Sequence, residues 1–295
     1  MSPSPVFHRP SSIDEAIGLL SDLGEDARIV SGSTAVTIML RQRLIAPAAL
    51  LSIGRLPDLA GIRRDDGWLE IGALTTHRDV ERSPVVQEVI PVLAETFGKV
   101  ANVRVRNVAT VGGVLAEADY ASDPPAVLRG LGAEVIARGP GGDRTIPLTG
   151  FFKAFYETEL AADEILTSVR VPIPAAGTGA VYEKFVTRSS EDRPCVGAFA
   201  AVRFAADGRT VDDLRVAVAA AAETPQRFED VEEEARGKAL DDALARSVAD
   251  AYAERIDTLD DLRGSAWYRT EMVRVWVRRA IEGAAIRAGG AARPA

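Results

Sequence analysis

The chain has 295 residues, 47% apolar and 26% charged, with a formal net charge of -8. That length suggests two domains or one large one, and the acidic balance argues against a nucleic-acid or anionic-membrane partner. The single cysteine, Cys195, excludes a disulfide framework, an iron–sulfur cluster and a cysteine-ligated zinc within the chain.

The elements follow in order. The opening MSPSPVFHRPSS has no apolar core, so it does not read as a signal peptide, and His8 reads as an exposed terminal residue. Ser12-Ile13-Asp14-Glu15 is a capping box, with Ile13, Ala16, Ile17 and Leu20 on one helical face and a stop at Gly24. ARIVSG, residues 27–32, predicts a strand entering a turn. TAVTIMLRQRL predicts a helix from Thr34, and ALLSI another strand. Two further strands, around LAGIRR and WLEIGAL, are joined by Asp66-Gly67, a hairpin signal. Thr75-Thr76 caps a short helix that begins near His77, and helices follow Pro84 and Pro91. VRVR alternates as a half-exposed strand does. TVGG follows as a turn, and PPAVLRGLG reads as a short helix ending at Gly132. AEVIAR with GPGG predicts another hairpin, and EILTSVRVPIP a closing strand. AAGTG, residues 175–179, is the best domain boundary. Three strands come next, AVYEKFVTR, CVGAFAAVRFA and LRVAVAAA, and the remainder reads as helical. FEDVEEEARGKALDDALARSVADAYAERI has helical periodicity, with EDVEEEAR as a solvated face. Met272, Val273, Trp276, Val277, Ala280 and Ala284 form an apolar stripe. The tail GGAARPA reads as frayed. No apolar run is long enough to span a bilayer, and a cytoplasmic protein is expected.

Two turns carry a chemical signal. SGST, residues 31–34, lies after a strand and before a helix. TVGG, residues 110–113, carries adjacent glycines after a β-branched run. Glycine lets backbone amides approach a pyrophosphate, and a helix N-terminus favours negative charge. Two such turns could clasp a dinucleotide between two lobes, although either alone is more simply a tight turn with no ligand. No GxGxxG follows the first strand and no GxxxxGK[ST] loop exists, so neither a Rossmann nor a P-loop reading holds. Two distant histidines give no metal spacing. A redox group, if used, must be borrowed. His77 reads as structural and Cys195 as a small buried hydrophobe.

The chain resembles the FAD-binding medium subunit of molybdenum hydroxylases, the group of carbon monoxide dehydrogenase, xanthine dehydrogenase and aldehyde oxidoreductase. The resemblance runs through Phe7, Pro10 and Ser12, then SGST, IGALTTHRDVERSP and VRNVATVGGVLAEADYASDPPAVLRGLGAEV. It resumes in YEKFVTRSSED, ETPQRFEDVE and GSAWYRTEMVRVWVRRA. It implies an α+β protein with a two-lobed FAD-binding domain of the vanillyl-alcohol-oxidase (PCMH) type, residues 1–176, split near residues 55 and 56. A smaller α+β C-terminal domain, residues 177–290, would hold a three-stranded antiparallel sheet and helices. It further implies that the FAD diphosphate lies between two turns. The first would be Ser31, Gly32, Ser33, Thr34 and Ala35; the second, Thr110, Val111, Gly112 and Gly113. The doublet's amides would approach the cofactor. Asp123 would contact the flavin's sugar chain and Lys184 would lie near the flavin ring, while Asp119 is a further candidate contact and Arg106 a support for the second turn. Bland readings stand beside these: Asp119 and Asp123 as loop acids, Lys184 as a surface strand lysine.

The chain departs from the family pattern where Ser33 replaces a second glycine, Ala35 a polar residue and Val114 an asparagine. Arg193 follows Asp192 where an aromatic is usual. The implied partners are a small subunit with two [2Fe-2S] clusters and a large molybdopterin subunit, in a dimer of heterotrimers. Electrons would pass through the clusters to FAD here and on to an external acceptor. The rival expectations are a stand-alone FAD oxidoreductase of the same fold and a FAD-free assembly subunit.

Overall fold

The computed structural model describes residues 4–289, so nearly all of the GGAARPA tail lies outside the described residues. The first lobe is built on a three-stranded parallel sheet. Strand β1 (Val6–His8) and β2 (Ala27–Val30) flank β3 (Ala49–Ser52). Parallel strands need crossovers. These are α1 (Ile13–Leu23), capped by Ser12, and α2 (Thr34–Arg41). Ala16, Ile17 and Leu20 of α1 bury against Leu51 and Ile53 beneath the sheet.

The second lobe is a five-stranded antiparallel sheet in the order β4-β5-β10-β6-β7. Its strands are β4 (Ile62–Asp65), β5 (Trp68–Gly72), β6 (Glu134–Gly139), β7 (Gly142–Pro147) and β10 (Ile165–Pro172). Between β5 and β6 run six helices: α3 (His77–Arg82), α4 (Pro84–Val89), α5 (Pro91–Gly98), α6 (Val103–Arg106), α7 (Val111–Glu117) and α8 (Asp123–Leu131). The inward alternation of Leu69, Ile71, Val135, Ala137, Val169 and Val171 meets Leu93 and Phe97 of α5 and Leu115 of α7 in one core. A short α9 (Leu148–Phe151) and the ribbon of β8 (Phe152–Ala154) with β9 (Glu157–Thr158) precede β10.

The C-terminal domain has the expected three-stranded antiparallel sheet: β11 (Gly179–Phe185), β12 (Val196–Phe204) and β13 (Val211–Ala219). Its strands, of which β12 is the most buried, are covered on one face by α10 (Glu229–Ala235), α11 (Asp242–Arg255) and α12 (Ala266–Arg287). Tyr182, Phe199 and Ala217 on the other face join the second-lobe core, so the two domains share apolar packing. Along α12, Val273, Val277, Ala280 and Ala284 are buried, with Met272 and Trp276 packed beside them.

Three expectations are corrected. VRVR is the helical turn α6 and not a strand. Asn102 caps it through bonds to the Arg104 and Val105 amides, and Arg106 folds back onto the Val100 and Ala101 carbonyls. The long helical stretch from Phe228 is two helices, interrupted where Gly237 adopts φ 76°. His8, expected to be an exposed terminal residue, is half-buried in β1, opposite Leu51 of β3. No helix among the described residues is long and apolar enough to cross a membrane.

Candidate cofactor site

The two turns meet. Ser33 adopts φ 58° and starts α2, but its side chain makes no capping bond. The first-turn amides of α2 therefore lack the partner a cap usually supplies. Thr110 caps α7, its Oγ1 accepting from the Gly113 amide at 3.1 Å. Ser31 Oγ and Thr110 Oγ1 stand 3.0 Å apart and share a hydrogen bond.

The glycines do something other than open the backbone to a ligand. A Cβ on Gly32 would lie 1.9 Å from the Val108 carbonyl oxygen, and one on Gly112 would lie 2.7 Å from Ala73 Cβ. They permit lobe to meet lobe and α7 to meet β5. The doublet's amides are also engaged. Val111 N donates to Thr75 O, Gly112 N to Ala73 O and Gly113 N to Thr110 Oγ1. The amides left open at this junction belong to the first turn and not to the second.

Around these turns lies a cleft of about 880 Å³, large enough for an extended cofactor. The first lobe lines it with Ile29, Ser31 and residues 32–36; the second with Ala73, His77, Thr110, Gly113, Glu117 and Asp119; the C-terminal domain with Lys184, Thr187 and Arg193. Of the predicted residues, 31–35, Thr110, Gly112, Gly113, Asp119, Asp123 and Lys184 line it together, whereas Val111 is buried in the core behind it.

Two carboxylates of the wall are paired. Asp123 and Lys184, with side chains 4% and 7% exposed, form a buried ion pair at 2.9 Å. Tyr182 donates its hydroxyl to the other oxygen of Asp123 at 2.7 Å. Burial pushes the Asp123 carboxyl up, and Lys184 and Tyr182 oppose that. Asp119 is also buried. Its Oδ1 accepts from the Ala121 amide, and Arg193 lies 2.5 Å from its Oδ2.

Two wall residues carried no functional signal in the sequence. Glu117, at the end of α7, is pushed up to about 7 by burial and by Asp119, with Arg193 and Arg28 opposing. His77 is buried with its ring edge-on to Phe97, as a structural histidine is. Its amide donates to Ala109 O, and its Nε2 lies 3.2 Å from Thr110 O. A carbonyl only accepts, so Nε2 carries the proton. The buried Nδ1 is left with no partner, and burial lowers the imidazole to about 4. Cys195 is the buried hydrophobe expected, with burial raising its thiol.

The comparisons with known proteins agree along the whole chain. The family described as the FAD binding domain in molybdopterin dehydrogenase matches residues 3–174, and the CO dehydrogenase flavoprotein C-terminal domain matches residues 180–284. The chain belongs to the molybdopterin dehydrogenase FAD-binding family. The carbon monoxide dehydrogenase medium chain of Hydrogenophaga pseudoflava is 37% identical over 94% of this chain and 96% of its own length. The nicotine 6-hydroxylase medium subunit of Paenarthrobacter nicotinovorans is 33% identical over 95% and 96%. The solved Hydrogenophaga pseudoflava carbon monoxide dehydrogenase superposes with a TM-score of 0.93, covering 97% of this chain and 99% of that one at 37% identity. Quinoline 2-oxidoreductase from Pseudomonas putida 86 does so at 0.91, with 30% identity, 98% and 99%. This member is therefore a FAD-binding medium subunit of the molybdenum hydroxylase type, an oxidoreductase component.

The cleft fits FAD on its own evidence. It has the volume, an uncapped helix start for a diphosphate, hydroxyls of Ser31 and Thr110 beside it, and a lysine ammonium on the far wall.

Proposed function

We propose that the cleft between the lobes holds FAD, with its diphosphate at the Ser33–Val36 amides and its flavin toward Lys184. The observation that carries this is the uncapped start of α2 facing the Ser31–Thr110 bond across the junction of the lobes. FAD, when bound, links two-electron and one-electron carriers. The chain's residues bind and orient it. Ser31 and Thr110 offer hydroxyls to phosphate oxygens, Asp119 and Glu117 face the polar sugar chain, and His77 fixes the Thr110 carbonyl. In this reading the Thr110–Gly113 turn contributes chiefly through its threonine, because its amides are engaged within the fold. The relatives' names speak of medium chains, and division of labour follows. A small subunit with two [2Fe-2S] clusters delivers electrons, a large molybdopterin subunit oxidises the substrate, and the assembly is a cytoplasmic dimer of heterotrimers. We place the boundary between the FAD-binding and C-terminal domains at residues 176 and 177, with the lobes dividing near residue 55.

The test is the visible absorption spectrum of the purified chain, with any released cofactor identified after denaturation. Near-stoichiometric FAD supports the reading. A colourless chain that stays empty on addition of FAD, alone and with its partner subunits, sinks it.

A further inference from the structure

Lys184, Asp123 and Tyr182 form a unit that the binding reading alone does not explain. Asp123 opens α8 in the FAD-binding domain, while Tyr182 and Lys184 stand two residues apart on β11 in the C-terminal domain. The carboxylate spends one oxygen on each partner: Oδ1 accepts from the Tyr182 hydroxyl at 2.7 Å and Oδ2 from Lys184 Nζ at 2.9 Å. Lys184 Nζ donates a second time, to the Lys99 carbonyl at 2.8 Å. Lys99 in turn donates to the Tyr182 carbonyl and lies over the Tyr182 ring at 5.8 Å. Both carboxylate oxygens are engaged, so a sugar hydroxyl reaching Asp123 would share an oxygen that already accepts a bond. Burying an ion pair at a domain junction is a poor source of stability, since an apolar pair of similar volume often does as well. A buried ammonium with two of its three N–H groups fixed is, however, a charge held in one place at the cleft wall.

We propose that Tyr182 and Asp123 are positioning residues that fix the Lys184 ammonium at the cleft and set how much of its charge the bound cofactor feels. The inference rests on the cleft being the FAD site. The Tyr182 hydroxyl withdraws charge from Oδ1, so Asp123 only partly compensates Lys184. Without the hydroxyl, the carboxylate compensates the ammonium more fully, and the site favours the electron-richer, reduced cofactor less. The groups that face Asp123 are Lys184 and Tyr182 on β11 and Lys99 at the end of α5.

The experiment measures the midpoint potential of bound FAD at pH 8 in the full chain, with and without Tyr182→Phe, in the native and Lys184→Met backgrounds. Tyr182→Phe is expected to raise the oxidised-to-reduced ratio at fixed ambient potential about tenfold, the scale of one hydrogen bond to a charged group. The effect disappears in Lys184→Met. A fluorotyrosine at position 182, a stronger donor of the same shape, moves the potential the opposite way. No shift with Tyr182→Phe, or the same shift without Lys184, overturns the proposal, because a merely structural hydroxyl changes stability and leaves the potential alone. In the FAD-free chain, ¹³C carboxyl NMR with Asp123→Asn for assignment reads the unit directly. Tyr182→Phe moves the Asp123 protonation midpoint upward, and an unmoved midpoint overturns the positioning pair. A native chain that takes up no FAD sinks the cofactor reading, and the carboxyl titration still decides the pair.

Discussion

Ser31 Oγ and Thr110 Oγ1, which lie 79 residues apart in sequence, share a 3.0 Å hydrogen bond that ties the turn after β2 to the cap of α7. The bond joins the two lobes at the cleft. Thr110→Val removes this bond and the cap on Gly113, and should cost about 1–2 kcal/mol. Ser31→Ala loses only the bond, about 1 kcal/mol. Because the two share one interaction, the double variant should cost less than the sum by about 1 kcal/mol. Urea unfolding of the four proteins checks this, and additive costs would show the bond to contribute nothing.

Gly32→Ala tests whether that glycine serves the fold. Its Cβ would meet the Val108 carbonyl at 1.9 Å, a backbone atom that cannot step aside as a side-chain end can. The lobes must part, at a cost of about 1–3 kcal/mol of overpacking, and FAD affinity should fall with them. Loss of FAD affinity with unchanged stability would return the glycine to the role of ligand-facing backbone.

Much of this was legible because local chemistry carries it. The Ser12 cap, the Thr76 cap, the Asp66-Gly67 hairpin and the stop at Gly132 each require only neighbours in sequence, and each stands in the structure, although the Ser12 box is not closed because the Glu15 carboxylate takes the Ser11 amide and hydroxyl. Alternation misled at VRVR, because the Asn102 cap and the return of Arg106 to Glu81 outweigh a period of two. The three-residue β1 escaped because it exists only by pairing with β3, which is distant in sequence. At the site, the positions of the two turns were readable but not the work of their amides, since Gly112 is satisfied by Ala73 across a contact that no local pattern announces. Glu117 gains its role from burial and the nearby Asp119, against distant Arg193 and Arg28, and Tyr182 gains its role from distant Asp123; neither environment shows in the local sequence.

His77 should contribute acid sensitivity, which Glu117 offsets where their windows overlap. Its imidazole is lowered to about 4 by burial, against 6.5 in the unfolded chain. As pH falls below 6.5 the unfolded chain takes a proton that the folded chain refuses until about pH 4, so stability falls across that window. The shift corresponds to about 3 kcal/mol at most. His77→Gln, which can still donate to Thr110 O, should abolish this contribution while keeping the α3–α7 junction. Equilibrium unfolding between pH 7 and pH 4 reads it, and an unchanged slope in the variant would assign the acid sensitivity elsewhere.

Glu117 should act with the opposite sign in an overlapping window. Its carboxyl is raised to about 7 by burial and by Asp119, against a reference of 4.5. Between those values the folded chain keeps a proton that the unfolded chain has lost, so stability falls as pH rises from about 4.5 to about 7, again by about 3 kcal/mol at most. From pH 4.5 to pH 6.5 the two residues oppose each other, and the native protein should show little net slope there. Glu117→Gln, which keeps the shape and removes the titration, should uncover the His77 contribution as stability that climbs with pH. His77→Gln should uncover the Glu117 contribution as stability that declines with pH. The decisive comparison is the pair of variants in one unfolding series. If Glu117→Gln runs parallel to the native profile, Arg193 and Arg28 already hold Glu117 ionised, and the acid cluster at the end of α7 is charged throughout the physiological range.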